Sequence, residues 1–459
     1  MMRIQKGLLF ITSGCVICII AFWAAYNKPD YYSLILYNIC GREYFQQCIR
    51  SKTSWIRCIE YLDMMSSEMN AFSYKYSSGW PPYSLLNLID KRLPAFSLAL
   101  KYIPFVKNAN ISTDDVLTYG TWQNYELNDT DYSIYPQNLN FSKLISSIED
   151  GIPIQTKPVN NPEMFALRLP KNICNPYKNE VIPDLIVLVK SCIYDISKRD
   201  RARQTFMQNN LWPNFNVQFV FVLGLPMENE SNIFKFDGFT NALETNWWSL
   251  SKQYADSKWP YLKKLETEAN LHEDLLIGSF HDTYYNLTKK LIFTYRWLSA
   301  FCSKQVPLYI FMDDDYDLVP RNVIQFYRNY TKAYLRNMTG GYIRPCLTVF
   351  RPLVNETSSV WAMSIKEFPW ETYPPYYYGL TYLLGASVVK HLAIGSAFIK
   401  EIRIDDAYLG ILFNKLNIKP THLNIISCDT SKSDILSGVI NVHYKTSGQL
   451  MNWTSGMPK

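Results

Sequence analysis

The strongest constraint on how this chain folds is a series of continuous apolar runs. Residues 184–192 read DLIVLVKSC, 217–224 VQFVFVLG, 274–280 DLLIGSF and 306–312 VPLYIFM. Unbroken rather than alternating apolarity implies strands buried on both faces, the habit of parallel strands covered by helices. Helix-forming stretches separate the runs at 197–210 and 265–271. A third follows Asp282, which is placed to cap it, and carries Leu287, Leu291, Tyr295 and Leu298 on one face. Strands alternating with helices predict an α/β domain with a mostly parallel central sheet, from about residue 181 to the end at 459.

The N-terminus obeys a different rule. Residues 7–26, GLLFITSGCVICIIAFWAAY, carry no charge. As a helix they would cover about 30 Å, the hydrocarbon thickness of a bilayer. Arg3 and Lys6 precede them, so the expectation is a short cytoplasmic tail (1–6), one signal-anchor span (7–26) and a lumenal remainder. A cleaved signal peptide is the rival, but no small-x-small cleavage site stands out. Residues 27–180 are Tyr-rich and Pro-interrupted, a stem too aromatic to be only a free linker.

Sequons at Asn110, Asn128, Asn140, Asn229, Asn286, Asn329, Asn337, Asn355 and Asn452 agree with a lumenal body. So does an even set of cysteines beyond the span: Cys40, Cys48 and Cys58 in the stem, then Cys174, Cys192, Cys302, Cys346 and Cys428. Full pairing within the chain would need a bridge across that divide. With 46 basic and 40 acidic residues the net charge of +6 is too small and scattered for a nucleic-acid footprint. Composition leaves the oligomeric state open.

The run 306–312 ends in Asp313-Asp314-Asp315. Ligands of open α/β sheets gather beyond the carboxyl ends of strands. Clustered carboxylates repel unless a cation neutralises them, and hard divalent ions prefer oxygen ligands. An acidic turn capping a helix near Pro320 is the alternative. A second pair, Asp405-Asp406, precedes Leu409, Leu412, Phe413 and Leu416 and marks a helix start. The tyrosines from Tyr373 to Tyr382 could be sugar-facing rings or simply packing.

From about 184 to 453 the chain resembles the β-1,3-glycosyltransferases of glycosyltransferase family 31. Several blocks match in order: LIVLVKSC (185–192), Arg199 with Arg203-Gln204-Thr205-Phe206, FVFVLG (219–224), FHDTYYNLTKK (280–290), Asp313–Asp315, KEFPWETYPPYYYG (366–379), IDDAYLGILFNKLNI (404–418) and NVHYKTSGQLMNW (441–453). Phe206, Ser279, Leu291, Tyr377, Tyr378, Thr381, Asp405 and Ala407 depart from the family's usual residues.

The resemblance implies a GT-A fold and inverting, Mn²⁺-dependent transfer from a UDP-sugar to a 3-hydroxyl of an acceptor glycan in the Golgi, by a type II membrane protein. It implies Asp406 as general base and Asp313, Asp315 and His443 at the metal. Donor contacts follow at Arg199, Arg203, Lys290, Asp313, Asp314, Tyr376 and Gly379, although the cations could equally be buried ion-pair partners. Galactose is the expected donor sugar and N-acetylglucosamine the runner-up. A non-catalytic lectin or chaperone on the same fold would lack the metal carboxylates or the base; Asp313, Asp315, Asp406 and His443 are all present.

Overall fold

The computed structural model describes residues 139–150, 160, 164, 166–171, 173–174, 182–226, 233–242, 258–344, 347–352 and 357–458. The chain divides into two units, Met1–Ala99 and Leu100–Lys459, and everything described belongs to the second. The expected span at 7–26, most of the expected stem, Cys40, Cys48, Cys58, Cys346 and the sequons at Asn110, Asn128, Asn229 and Asn355 lie outside the described residues. Among the described residues no helix is long and apolar enough to cross a membrane.

Helix α1 (Phe141–Glu149) and strand β1 (Ala166–Arg168) come first. Both fall in the expected stem and both join the body: Lys390 pairs with Glu149 at 2.7 Å, and β1 forms an edge of the main sheet. Then follow β2 (Leu185–Lys190), α2 (Ile196–Gln204), β3 (Val217–Leu225), β4 (Ile233–Phe236), β5 (Phe239–Ala242), α3 (Lys258–His272), β6 (Leu275–His281), α4 (Leu287–Trp297) and β7 (Leu308–Asp313). The apolar runs therefore are strands, and the stretches between them helices. The chain continues through β8 (Tyr316–Leu318), α5 (Pro320–Arg328), α6 (Lys332–Arg336), β9 (Thr339–Ile343), β10 (Thr357–Ser358), β11 (Tyr377–Gly385), α7 (Ala386–Gly395) and α8 (Asp405–Lys415). Helix α9 (Lys432–Leu436), β12 (Asn441–His443) and α10 (Tyr444–Leu450) lead into the C-terminus.

The seven-stranded sheet has the order β1-β6-β3-β2-β7-β11-β9. Its middle, β6-β3-β2-β7, is parallel, while β1, β11 and β9 add antiparallel pairings at the two sides. Leu185, Ile186, Val187 and Leu188 of β2 are fully buried; each such side chain contributes about 1.5–3 kcal/mol. Helix α4 packs against α7 and α8, and it is buried nearly all round rather than on one stripe. Tyr382 of β11 lies opposite Phe311 of β7, their rings stacked at 5.2 Å.

Two expectations change. Asp282 does not cap α4; Asn286 occupies that position after a short turn at Tyr284–Asn286. Instead Asp282 is fully buried, pairs with Lys290 at 2.7 Å and accepts from the Ile193 and Gly224 amides at 3.1 and 3.0 Å. A carboxylate at the end of a central parallel strand meets neighbouring strand ends before it can reach a helix terminus. Among the described residues a disulfide joins Cys174 to Cys302, while Cys192 and Cys428 are unpaired, so the eight cysteines beyond the expected span do not all pair within the chain. Asn286 donates to the His281 carbonyl at 3.0 Å, a structural use of that sequon.

Candidate active site

The site begins with strand register. In parallel pairing, Lys190 at the end of β2 stands opposite Asp313 at the end of β7. Helix α8 brings Asp405 and Asp406 to the same place. The Lys190 ammonium thus lies 2.7 Å from Asp405, 3.0 Å from Asp313 and 3.9 Å from Asp406. Burial disfavours its charge, yet the surrounding carboxylates outweigh burial and hold its pKa well above the ordinary range. Sequence reasoning missed Lys190, although a lysine inside LIVLVK, the only charge in a doubly buried strand, was the available signal.

Asp406 occupies the first turn of α8, as expected. The Gly379 amide donates to its Oδ2 at 2.8 Å, and 22% of its side chain is exposed. Burial, the largest influence, and repulsion from Asp405 raise its pKa to about 8; Lys190 and the Gly379 amide oppose the rise. The helix start therefore fixes this carboxylate without dominating its titration. Gly379 is the close neighbour of two carboxylates: a Cβ there would lie 2.8 Å from Asp406 Oδ1 and 2.9 Å from Asp313 Oδ2.

The acidic triplet splits three ways. Asp313 turns to Lys190 and Gly379. Asp314 turns into the protein, accepting from Ser191 Oγ at 3.0 Å, the Cys192 amide at 3.3 Å and Lys198 Nζ at 2.7 Å. Asp315 Oδ1 is buried with no hydrogen-bond partner, and burial and Asp314 raise its pKa while Lys198 and His443 oppose. None of the three caps a helix: α5 starts at Pro320 behind Val319.

His443 comes to Asp315 through a two-stranded ribbon. It pairs with Tyr316, and the Tyr444 amide donates to the Asp315 carbonyl at 2.9 Å. Its Nδ1 accepts from the Lys445 amide at a long 3.3 Å. Metal ligation through Nε2 would require Nδ1 to carry the proton, so that weak bond would be given up. Among the described residues no group of three or more His, Cys, Asp or Glu side chains is arranged to hold a metal ion. Asp315 and His443 nevertheless fit a hard divalent cation bound by one or two protein ligands, with substrate phosphates and water supplying the rest. The orphaned Asp315 Oδ1 is the feature that such a cation would satisfy.

The expected donor-site cations are all engaged in ion pairs. Arg199 is fully buried; its guanidinium grips Glu268 at 2.7 and 2.8 Å and donates to the Cys192 carbonyl at 2.6 Å. Arg203 pairs with Asp274, Glu268 and Asp200 at 2.7–2.8 Å. Lys290 pairs with Asp282 and donates to the Ser191 carbonyl at 2.5 Å. Arg199 and Lys290 thus pin the loop after β2, whose Ser191 and Cys192 hold Asp314. Here the ion-pair alternative describes their contacts. Lys198 and Arg201, which sequence reasoning missed, are the partly exposed cations: Arg201 pairs with Asp317, and both lie over the Tyr444 ring, at 5.8 and 4.9 Å.

The tyrosine run is mostly core. Tyr373, Tyr376, Tyr377 and Tyr382 are buried, and Tyr376 packs its Cβ against Gly410 of α8. Tyr376 therefore braces the helix that carries Asp406 rather than offering a free face. Only Tyr378 of the run is half-buried, beside Arg344 at 5.1 Å.

Residues 255–424 match the family described as galactosyltransferase. Among similar proteins, the β-1,3-galactosyltransferase brn of Drosophila melanogaster is 25% identical over 239 residues, 52% of this chain and 62% of that one. Human UDP-GalNAc:β-1,3-N-acetylgalactosaminyltransferase 1 is 26% identical over 51% of this chain and 61% of its own. Mouse β-1,3-galactosyltransferase 1 is 25% identical over 58% and 70%. The chain thus spans less than two thirds of the length of the first two. Family match and relatives agree with the resemblance carried by the motif blocks.

Proposed function

We propose that this chain, as a relative of glycosyltransferase family 31, is an inverting β-1,3-glycosyltransferase that moves a sugar from a UDP donor to the 3-hydroxyl of an acceptor glycan. The placement of Asp406 supports this most directly: a partly exposed carboxylate, aimed by the Gly379 amide, with its pKa raised to about 8. A general base works best when its pKa lies near the working pH. Asp406 takes the proton from the acceptor hydroxyl as that oxygen bonds to the donor sugar's anomeric carbon from the face opposite UDP. The bond from that carbon to the diphosphate breaks, and its electron pair leaves on the phosphate oxygen. Lys190 holds Asp313, Asp405 and Asp406 together and limits their repulsion. Mn²⁺ held by Asp315 and His443 would supply positive charge against the departing diphosphate. Lys198 and Arg201, partly exposed and paired with Asp314 and Asp317 on either side of Asp315, are the cations that would bind it.

Galactose is the donor we favour, in keeping with the family description and two of the relatives. The N-acetylgalactosaminyltransferase relative favours UDP-GalNAc as a second reading, with UDP-GlcNAc third. Incubating the full chain with these three UDP-sugars and an acceptor array, with Mn²⁺ or chelator, decides between them. Absence of transfer from every donor would refute the proposal. We further propose a Golgi type II arrangement: a cytoplasmic tail at 1–6, the span at 7–26, a stem beyond it, and a catalytic body that takes in α1 and β1 and runs to 459. Protease protection of all but the tail in sealed Golgi vesicles tests it.

A further inference from the structure

Trp361 is 53% exposed, although tryptophan is highly buried on average. Its indole is nevertheless held, because Nε1 donates to the Tyr284 hydroxyl at 3.0 Å. Phe350, itself 46% exposed, lies with its ring centroid 6.5 Å away. An exposed ring fixed in orientation by a hydrogen bond is organised to receive something flat and apolar.

Its surroundings point to the proposed reaction site. Arg403 donates to the Ala362 carbonyl at 2.8 Å and clasps Glu367 at 2.6 and 2.7 Å. The loop carrying Trp361 is thereby tied to the residues that lead directly into Asp405 and Asp406. Tyr284 also feels the charge of these carboxylates: burial raises its phenol, the Trp361 hydrogen bond opposes the rise, and Asp405, Asp406 and Asp313 add to it. The cations suited to diphosphate are gathered elsewhere, with Lys198 on Asp314 and Arg201 on Asp317 beside the Tyr444 ring. An uncharged aromatic face connected to Asp406 suits the other substrate. One face of a pyranose presents C–H groups that pack on an aromatic ring, while its hydroxyls remain free for carboxylates.

We propose that Trp361, oriented by Tyr284, is the stacking platform for the acceptor sugar that presents its hydroxyl to Asp406. The inference rests on the glycosyltransferase reading and adds the place and chemistry of acceptor recognition. The test uses the full chain and its Trp361→Ala, Trp361→Phe and Trp361→Leu variants, each checked by thermal melting. Trp361→Ala and Trp361→Leu should raise the acceptor KM about tenfold, the loss of one good aromatic contact. Donor KM and the hydrolysis of UDP-sugar without acceptor should not move. Trp361→Phe, which keeps an aromatic face, should stay within about threefold of wild type. An unchanged acceptor KM in Trp361→Leu, or a shift in donor KM instead, overturns the platform and leaves the transferase reading standing. If the wild type transfers from no UDP-sugar, that reading fails, and saturation-transfer NMR with galactose- and N-acetylglucosamine-terminated oligosaccharides decides the platform separately. Binding lost in Trp361→Leu supports it; binding that is absent or unaffected overturns it.

Discussion

Gly379→Ala should damage the reaction more than the fold. A Cβ at this position would lie 2.8 and 3.1 Å from the two Asp406 oxygens and 2.9 Å from Asp313 Oδ2. Ordinary contacts begin near ~3.4 Å, so the carboxylates must retreat by roughly 0.5 Å. Gly379 is not among the positive-φ glycines Gly238, Gly438 and Gly456. Alanine can therefore adopt its backbone, and the effect falls on the carboxylates. Asp406 can move only by stretching its 2.8 Å bond from the Gly379 amide, and Asp313 is held by Lys190 at 3.0 Å. Catalytic groups tolerate about 0.5 Å of displacement, and about 1 Å costs on the order of a hundredfold. The expected result is a fall of about ten- to a hundredfold in kcat, with about 1–3 kcal/mol of overpacking destabilisation. Initial rates of transfer and thermal melts measure both. Gly395→Ala is the control: its Cβ would meet the Leu416 side chain at 2.9–3.2 Å, which stresses packing without touching Asp313 or Asp406. A Gly379→Ala protein with wild-type kcat, or one no worse than the control, would refute the reasoning.

Asp406→Asn should lower kcat by about 10²–10⁴ with donor KM unchanged, and single-turnover assays would show it. In the wild type, activity should rise with pH through about 8 as Asp406 ionises. Since that pKa is raised, ionising Asp406 costs stability between the usual carboxylate range and about 8, so melting should not improve as the rate does. Bound Mn²⁺ would move that limb to lower pH; a rate with no rising limb at any pH where the protein stays folded would exclude Asp406 as the base. Arg199→Met should cost about 1.5–3 kcal/mol in a denaturant titration, because it removes the charged hydrogen bonds of one guanidinium from buried Glu268 and leaves Arg203 as its remaining ion-pair partner. An unchanged melt with a raised donor KM would instead make Arg199 a donor contact. Chelation should abolish transfer, and Asp315→Asn should raise the Mn²⁺ concentration needed for half-maximal rate; retained activity under thorough chelation would remove the metal.

What could be read ahead was whatever depends on local pattern. The parallel strands announced themselves because burial on both faces leaves no room for alternation, and α8 because its acidic first turn precedes an apolar face. Asp282 shows the limit. Its position suggests a cap, yet its partners Ile193, Gly224 and Lys290 come from a strand exit, a neighbouring strand and a helix face. Capping is a contact across three or four residues, whereas neutralising a buried charge is a property of the assembled sheet. Lys190 makes the same point for the site. Nothing near it in sequence explains a charge at the end of a buried strand. Its meaning arises only when β2 pairs with β7 in a register that sets it against Asp313, and when α8 delivers two further carboxylates from more than two hundred residues away. The tyrosines fail in the opposite direction: an aromatic run beside a carboxylate suggests sugar, but Tyr376, Tyr377 and Tyr382 fill the core. The exposed ring proposed for that role is Trp361, oriented by the hydrogen bond it donates to Tyr284 in another block of the chain. Catalytic carboxylates can be recognised singly, because their chemistry is intrinsic. The groups that hold and complement them cannot, because their role consists in where the fold brings them.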